Sequence, residues 1–291
     1  MLFGVHISEA VGFNPSGEDY ISVARHAEAL GFNSLWVGDH VVIPKVLHAT
    51  YPYTKDGSIG FPPRTPWPDP ITLLSALGPC TKTIRLCTGI SVVPYRNPLH
   101  MAKAIGTADL MSNGRVVYGV GLGWLKEEFE TLGIDFKERA ARTDEYLRIM
   151  KAMWTGGDTT YKGRFFAVPD LHVNPLPVQK PHPPIMIGGQ HKPAFKRVVA
   201  LGDGWMCGVI TPDAFRPQLK ELSEMLAEAG RKLSDIKISM VIRPDFARNN
   251  KKDLEAFEAA GLQEGVLYMT GLANADAARR ELDSLAKATM G

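Results

Sequence analysis

SLWVGDHVVIP (residues 34–44) joins a short apolar run to an acid and an imidazole, and the interpretation of the fold starts at this junction. The run 35–37 predicts a buried strand, and Gly38 ends it. Asp39 and His40 then stand side by side where the strand ends. The pattern is typical either of a strand-terminating turn or of the rim of a catalytic site. Where the other strands of the chain end decides between the two.

Strands and helices alternate along the whole chain. The apolar runs predict strands over 2–7, 33–39, 84–93, 115–120, 184–189, 204–209, 236–242 and 265–271. After each comes a helical pattern, over 18–30, 70–79, 98–111, 138–154, 193–201, 212–229, 251–260 and 273–287. Parallel strands covered by helices on both faces read as unbroken apolar runs, as these do. The sequence therefore predicts an α/β protein, a (β/α)8 TIM barrel with insertion loops.

Two insertions interrupt the alternation without dividing the chain. Residues 41–68 form a long irregular segment rich in proline and aromatic residues, and loops of this length are usually functional or disordered. Residues 156–183 predict a small surface hairpin. Because no linker-like break occurs, we predict one domain over 1–291. A doubly wound open sheet is the alternative, but it calls for a GxGxxG turn that HISEAVGF (6–13) lacks.

Composition limits the partners of the protein. The 291 residues carry 33 basic and 31 acidic side chains, a net charge of +2, which gives no reason to expect nucleic acid or an anionic membrane as a partner. MLFGVHI, at residues 1–7, lacks the features of a signal peptide, and no window reaches the roughly 18 apolar residues of a membrane span. The three cysteines lie in or beside apolar segments, as buried thiols in a reducing compartment do. We expect a cytoplasmic protein.

Glycines mark the strand ends where a barrel of this type carries its active site. GVGLGW (119–124) ends the fourth predicted strand, and the pair 188–189 ends the fifth. Glycine lets backbone amides approach a ligand closely, an arrangement that suits a phosphate. With Arg96 and Asn97 nearby in sequence, the two glycine clusters predict a long anionic ligand over the barrel mouth. His40 then lies on the functional rim.

Other site types find little support in the sequence. No His, Cys and carboxylate cluster has metal-ligand spacing, so no metal is expected. A Ser-His-Asp hydrolase of the α/β type is disfavoured because no GxSxG turn occurs. The acidic run Glu127, Glu128 and Glu130 is interpreted as mostly a solvated helix face.

Several motifs, in order and spacing, resemble the bacterial luciferase-like oxidoreductase superfamily. They are GRVVYGVGLGWLKEEFETLGIDFKERAARTDEYLRIMKAMW (114–154), VGDH (37–40), VVPYRNP (92–98), PHPPIMIGG (181–189) and LGDGW (201–205). Members of that superfamily are (β/α)8 barrels that bind reduced FMN or the deazaflavin coenzyme F420. Within the first of these motifs, the segments GLGWLKEEFE and ERAARTDEYL are most similar to sequences of the F420-dependent branch. The resemblance implies hydride transfer between reduced deazaflavin and a small organic substrate. An FMN-dependent monooxygenase and a non-catalytic flavin-binding barrel are the alternatives.

The resemblance also implies roles for individual residues. Asp39 matches the acid that hydrogen-bonds the deazaflavin ring, and His40 matches the catalytic histidine that faces the hydride-bearing carbon. Ser91 and Val92 match a pair joined by a non-proline cis bond that props the ring. These four residues are therefore expected at the reactive part of the cofactor.

The remaining implied roles concern the cofactor's chain and the substrate. Gly123, Gly188 and Gly189 match backbone positions around the ring side chain and phosphate. Trp124 is included in the predicted cofactor site; sugar-phosphate dehydrogenases of this type carry a glutamate there, so the departure implies an apolar or aromatic substrate. The acidic F420 tail implies a basic entrance, for which the candidates are Lys45, Arg64 and Arg96. Dimers are frequent in the superfamily, so a homodimer is the assembly implied.

Overall fold

Eight parallel strands close into a barrel in the computed structural model, which describes every residue except 13, 46–47, 49, 52–56, 58, 60, 63, 157–158 and 209, and the side chain of 159. The strands are β1 (Leu2–His6), β2 (Ser34–Val37), β3 (Arg85–Thr88), β4 (Ser91–Val92), β5 (Val116–Gly121), β6 (Thr159–Lys162), β7 (Ala167–Leu171), β8 (Ile185–Gly188), β9 (Gly204–Cys207), β10 (Lys237–Ile242) and β11 (Glu264–Tyr268). The barrel order is β3, β2, β1, β11, β10, β9, β8 and β5, and β5 pairs back with β3. The predicted (β/α)8 barrel is confirmed.

Helices follow the barrel strands and cover them. They are α1 (Gly17–Ala29), α2 (Pro70–Cys80), α3 (Pro98–Met111), α4 (Lys126–Thr131), α5 (Arg139–Thr155), α6 (Lys192–Leu201), α7 (Pro212–Glu228), α8 (Pro244–Asn249), α9 (Lys251–Ala260) and α10 (Ala275–Met290). Side chains cap several of them, and the Asp69, Asn97 and Thr211 oxygens accept first-turn amides before a proline at the helix start. None of the described helices is both long and apolar enough to cross a membrane.

Side chains fill the barrel interior in layers. The middle layer is apolar and buried, and consists of Trp36, Cys87, Val117, Met186, Met206 and Val266. At the amino-terminal end, the Glu264 carboxylate accepts hydrogen bonds from Asn33 Nδ2 (2.6 Å), Ser34 Oγ (2.5 Å) and Ser239 Oγ (3.1 Å). At the carboxyl-terminal end, the rings of His6 and Tyr268 lie 4.5 Å apart. The packed interior leaves the carboxyl-terminal mouth as the place for chemistry.

The strand predicted over 84–93 is interrupted between β3 and β4. The Gly89–Ile90 peptide bond is cis. The prediction that a cis bond joins Ser91 to Val92 is wrong, because the non-proline cis bond lies two residues earlier, and Ser91 and Val92 form β4, which pairs with β5. Glycine fits the crowded position before the cis bond, since a Cβ on Gly89 would lie 3.0 Å from the Trp36 side chain.

The insertion at 156–183 contains the predicted hairpin, formed by antiparallel β6 and β7. Its turn is fixed to α5 by a buried carboxylate. Glu145 accepts hydrogen bonds from the amides of Arg164, Phe165 and Phe166 at 2.8–2.9 Å. The hairpin is therefore attached through its turn as well as through its two ends.

Candidate active site

Three of the predicted cofactor-binding residues meet at one buried carboxylate. Asp39 accepts hydrogen bonds from the Val92 amide (2.9 Å) and the Ser91 hydroxyl (3.2 Å). The Arg96 guanidinium donates to both Asp39 oxygens, at 2.7 and 2.9 Å. Asp39 thus links the end of β2 to the start of β4. The bidentate pair with Arg96 fixes the orientation of the Asp39 carboxylate.

Arg96 is shared between two acids and is not free to bind an anion. It also donates to Asp69 at 2.8 Å. Burial disfavours the Arg96 charge, but Asp39 and Asp69 outweigh that effect and raise the Arg96 pKa. The other two candidates for a basic entrance, Lys45 and Arg64, have exposed side chains. Only these two of the three predicted cations can therefore meet an acidic cofactor tail without breaking an existing pair.

His40 uses only one of its ring nitrogens within the described structure. Its Nδ1 lies 2.8 Å from Glu128 Oε2, and the side chain is 9% exposed. A carboxylate accepts the hydrogen bond, so Nδ1 carries the proton. No described residue forms a hydrogen bond with Nε2, which leaves that nitrogen available to a ligand.

Glu128 corrects the interpretation of the acidic run as a solvated face. Its side chain is fully buried, although Glu130 two residues later is exposed. Besides His40, it accepts hydrogen bonds from the amides of Val41 (2.6 Å) and Val42 (3.1 Å) and from Tyr95 OH (2.9 Å). A helix was expected at this acidic run, and the six-residue helix α4 turns Glu128 inward instead of toward solvent.

Aromatic rings surround His40. Ring centroids of Trp67, Phe61 and Trp124 lie 4.8, 5.6 and 6.1 Å from that of His40. Tyr51 packs edge-on against Trp124, with centroids 5.0 Å apart. Tyr51, Phe61 and Trp67 all come from the long irregular segment after β2, so that segment supplies much of the apolar wall of the site.

The strand-end glycines make room for one side chain. A Cβ on Gly121 or Gly188 would lie 2.2 or 2.7 Å from Cδ1 of Ile90, which therefore lies against both glycines at the barrel mouth. Gly189, with φ of +130°, donates its amide to the Met206 carbonyl at 3.3 Å. That amide, predicted to face a phosphate, is engaged within the barrel.

Gly123 also has a packing role. Its φ is +81°, a conformation that favours glycine. A Cβ at this position would lie 2.7 Å from both Val92 and Phe129. Gly123 therefore lets the turn before α4 pack closely on β4, beside the Asp39 cluster.

Two buried polar atoms at the mouth have no hydrogen-bond partner among the described residues: His6 Nδ1 and Trp67 Nε1. A Cβ on Gly38 would lie 2.6 Å from Trp67 and 3.3 Å from His6, so both rings flank the same point. Burial lowers the pKa of His6 to about 4, against the weaker opposite effect of its bond to the Gly89 carbonyl. Neutral His6 donates from Nε2 to that carbonyl (3.1 Å), so Nδ1 is an acceptor.

An acceptor on His6 and a donor on Trp67 fit a flavin or deazaflavin, whose pyrimidine edge carries both N–H and C=O groups.

Besides Asp39 and Glu128, a further acid lies at the same end of the barrel. Glu9 accepts hydrogen bonds from the hydroxyls of Tyr268 and Thr270, and burial raises its pKa. In the described parts of the chain, no three His, Cys, Asp or Glu side chains are arranged to hold a metal ion.

Sequence reasoning missed several residues of this site, including Glu128, Glu9 and Trp67. Glu128 lies in the first turn of α4, the helix that follows the glycines at the end of β5, a position that signals proximity to the mouth. Its neighbours in an acidic run conceal that signal. Val209, at the end of the sixth predicted strand, lies outside the described residues.

This chain is similar to a family model, to curated proteins and to solved structures. The family model for luciferase-like monooxygenases matches residues 2–287. An uncharacterised protein of Mycobacterium tuberculosis is 33% identical over 236 residues, 81% of this chain and 81% of that protein. An F420-dependent glucose-6-phosphate dehydrogenase of Amycolatopsis mediterranei is 29% identical over 259 residues, 84% of this chain and 72% of the relative. The crystal structure of the monooxygenase RslO1 from Streptomyces bottropensis aligns with a TM-score of 0.79 at 20% identity, over 100% of this chain and 99% of the other.

Proposed function

Because the chain belongs to the luciferase-like monooxygenase family, we propose that it is an oxidoreductase that uses coenzyme F420. It transfers hydride between the reduced deazaflavin and a small organic substrate. Two observations support this cofactor over FMN: the sequences of the segments GLGWLKEEFE and ERAARTDEYL, and the relative named as F420-dependent. FMN-dependent monooxygenation is the alternative within the same family.

The observation that carries the proposal is that His40 Nε2 forms no hydrogen bond with any described residue. Its Nδ1 is held by Glu128, and aromatic rings surround it. When bound, the deazaflavin would supply hydride donation or acceptance, which is chemistry that side chains lack. His40 Nε2 takes a proton from the substrate oxygen, or returns one to it, as hydride leaves or reaches the neighbouring carbon. The aromatic walls exclude water from that proton transfer.

The residues assigned to the cofactor keep the roles implied by the resemblance, with two changes. Asp39, Ser91 and Val92 form a bonded cluster that would hold the ring together with Ile90. Gly123, Trp124, Gly188 and Gly189 would border the ring side chain and phosphate. Arg96 positions Asp39 and does not bind the tail, and Ile90, which lies at the barrel mouth against Gly121 and Gly188, would contact the ring.

The substrate is proposed to be small and apolar or aromatic, with one oxygen that His40 can reach. Trp124 stands where a sugar-phosphate dehydrogenase of this type carries a carboxylate, and it packs on Tyr51. A charged sugar phosphate would lose hydration against these rings without a compensating partner. We further propose that residues 1–291 act as one domain, as a homodimer in the cytoplasm.

Titration with reduced F420 and, separately, reduced FMN tests the cofactor. We expect F420 to bind at least tenfold more tightly. Lys45→Glu and Arg64→Glu should each weaken F420 binding, because the glutamyl tail is acidic, and leave FMN binding nearly unchanged. Lys252→Glu, an exposed change on α9, is the matched control. Tenfold tighter FMN binding would replace the proposal with the monooxygenase alternative.

Turnover of His40→Ala tests catalysis itself. Positioned acid–base groups contribute about 10²–10⁴-fold in rate, so we expect at least a hundredfold loss. Cofactor affinity should change little, since His40 acts on the substrate. A full rate in His40→Ala would place the proton transfer elsewhere, and cofactor binding with no turnover in the native protein would indicate a non-catalytic flavin-binding barrel.

A further inference from the structure

The two oxygens of Glu128 have separate tasks. Oε2 accepts hydrogen bonds from His40 Nδ1 at 2.8 Å and from Tyr95 OH at 2.9 Å. Oε1 accepts from the backbone amides of Val41 at 2.6 Å and Val42 at 3.1 Å. The side chain is fully buried, so water does not compete for these bonds. Four donors therefore hold the carboxylate in one orientation.

We propose that Glu128 is the positioning residue that sets the tautomer of His40. An ionised carboxylate can only accept, so the neutral imidazole must keep its proton on Nδ1. Nε2 is then a lone-pair acceptor. This inference rests on the proposed function, in which His40 Nε2 accepts the substrate proton, and it adds the group that makes acceptance available.

Glu128 also ties His40 to the start of the long segment that supplies Tyr51, Phe61 and Trp67 to the site. Val41 and Val42 are the first residues of the long irregular segment after β2, and Oε1 holds both of their amides. The amide of His48 is bonded to the neighbouring Glu127 Oε1 at 2.6 Å. Two consecutive acids of helix α4, Glu127 and Glu128, therefore hold both the start of the segment after β2 and the His40 ring.

The variant Glu128→Gln separates the tautomer from the shape of the site. Two backbone N–H groups, of Val41 and Val42, require an oxygen at the Oε1 position, so the amide oxygen must stay there. The amide NH₂ then points at His40 Nδ1, which must accept the hydrogen bond. The imidazole proton moves to Nε2, while the volume of the side chain at position 128 and its bonds to the Val41 and Val42 amides are kept. The change is thus predicted to invert the tautomer.

The tautomer can be measured directly by ¹⁵N NMR on histidine-labelled protein without cofactor. At the alkaline end of a pH titration, the native protein should show His40 with a protonated Nδ1 and an unprotonated Nε2. His40→Ala identifies the signals among the eight histidines. In Glu128→Gln the two signals should exchange character. A native protein with the proton on Nε2 would overturn the proposal without any variant.

Turnover gives the second measurement. We expect Glu128→Gln to lower kcat at least a hundredfold with F420 affinity unchanged, because the base is lost and the binding surfaces are kept. Glu130→Gln is the matched control, since it removes an exposed acid from the same helix and should turn over at the native rate. In the His40→Ala background, Glu128→Gln should cause no further loss, because Glu128 acts through His40.

The outcomes distinguish this proposal from the proposed function. An additive loss in the double variant, or an exchanged tautomer with a native rate, would overturn the positioning role while leaving F420-dependent turnover established. Absence of turnover in the native protein with F420 would overturn the proposed function, and the NMR result would still decide the tautomer.

Discussion

The buried imidazole of His6 illustrates how one residue can serve a ligand at a cost to the free protein. The side chain lies beneath the mouth, and its ring is 4.5 Å from that of Tyr268. Only its Nε2 has a partner among the described residues. An unpartnered buried acceptor is unfavourable unless water or a ligand satisfies it. The sequence places His6 at the carboxyl end of the first predicted strand, but it does not show the burial of the ring, which depends on strands that are distant in the chain.

The pKa of His6 predicts a pH dependence of stability. Burial lowers it from 6.5 to about 4, so between these values the unfolded chain binds a proton that the folded chain does not. The free energy of unfolding should therefore fall as pH drops from 6.5 to 4, with a His6 contribution of about 3 kcal/mol. His6→Gln keeps a donor for the Gly89 carbonyl and does not titrate. Urea unfolding across this range should show a smaller decrease in the variant.

An equal decrease in native protein and His6→Gln would mean that other groups cause the acid sensitivity. Glu28 and Asp69, whose pKa values are lowered in the fold, are such groups, whereas Glu9, whose pKa burial raises, has the opposite effect and stabilises the fold as pH falls.

At the scale of elements, the sequence was sufficient to predict the strands and helices that are long enough to show a hydrophobic pattern. All eight barrel strands and their eight principal helices lie close to the predicted ranges. The six-residue helix α8 was missed, and α4 was expected only as a solvated helix face, because a helix of that length shows no complete apolar stripe. The break between β3 and β4 was missed because 84–93 is apolar on both sides of it, and only packing against Trp36 shows where the chain must bend.

The same limit applies to the candidate site. Asp39, Ser91 and Val92 were assigned through a resemblance and are found together. Arg96 was assigned to an anionic ligand because its pairing with Asp39, across 57 residues, has no signature in the local sequence.

The contact between Ile90 and the glycines of β5 and β8 can be tested by a double-mutant cycle. In Gly188→Ala the new Cβ would lie 2.7 Å from Ile90 Cδ1, so we expect a loss of about 1–3 kcal/mol in the free energy of unfolding. Ile90→Val removes that Cδ1 atom, and the double variant should recover most of the loss. Gly17→Ala, where a Cβ meets open space, is the control. Purely additive losses would show that the strain is at the backbone of β5.

At the scale of the whole molecule, Glu264 joins three strands at the amino-terminal end of the barrel. It lies on β11, and its partners Ser34 and Ser239 lie on β2 and β10. Trp36 of the middle layer donates from Nε1 to Ser34 Oγ at 2.7 Å, which continues the network upward. A buried polar network of this kind is stabilising because every member has a partner.

Replacement of Glu264 should affect stability and spare catalysis. Glu264→Ala leaves the buried Ser34 and Ser239 hydroxyls and the half-buried Asn33 amide without their acceptor, so we expect a loss on the order of 3 kcal/mol in the free energy of unfolding. Glu264→Gln keeps an acceptor for Asn33 and Ser34 and should lose much less. Both variants should retain the native kcat if they are folded, since the network is at the opposite end from His40. Equal losses in the two variants would show that volume, and not hydrogen bonding, sets the stability here.

The pairing of β1 with β11 has a consequence for how the protein is made. The first and last barrel strands are neighbours, with Leu2 opposite Glu264 and His6 opposite Tyr268. On the ribosome, the outer edge of β1 therefore stays unpaired until residue 268 has emerged, and an unpaired strand edge is a template for association with other chains. The barrel can therefore close only after β11 has been made, and until then the partly folded sheet is exposed to association with other copies of the chain.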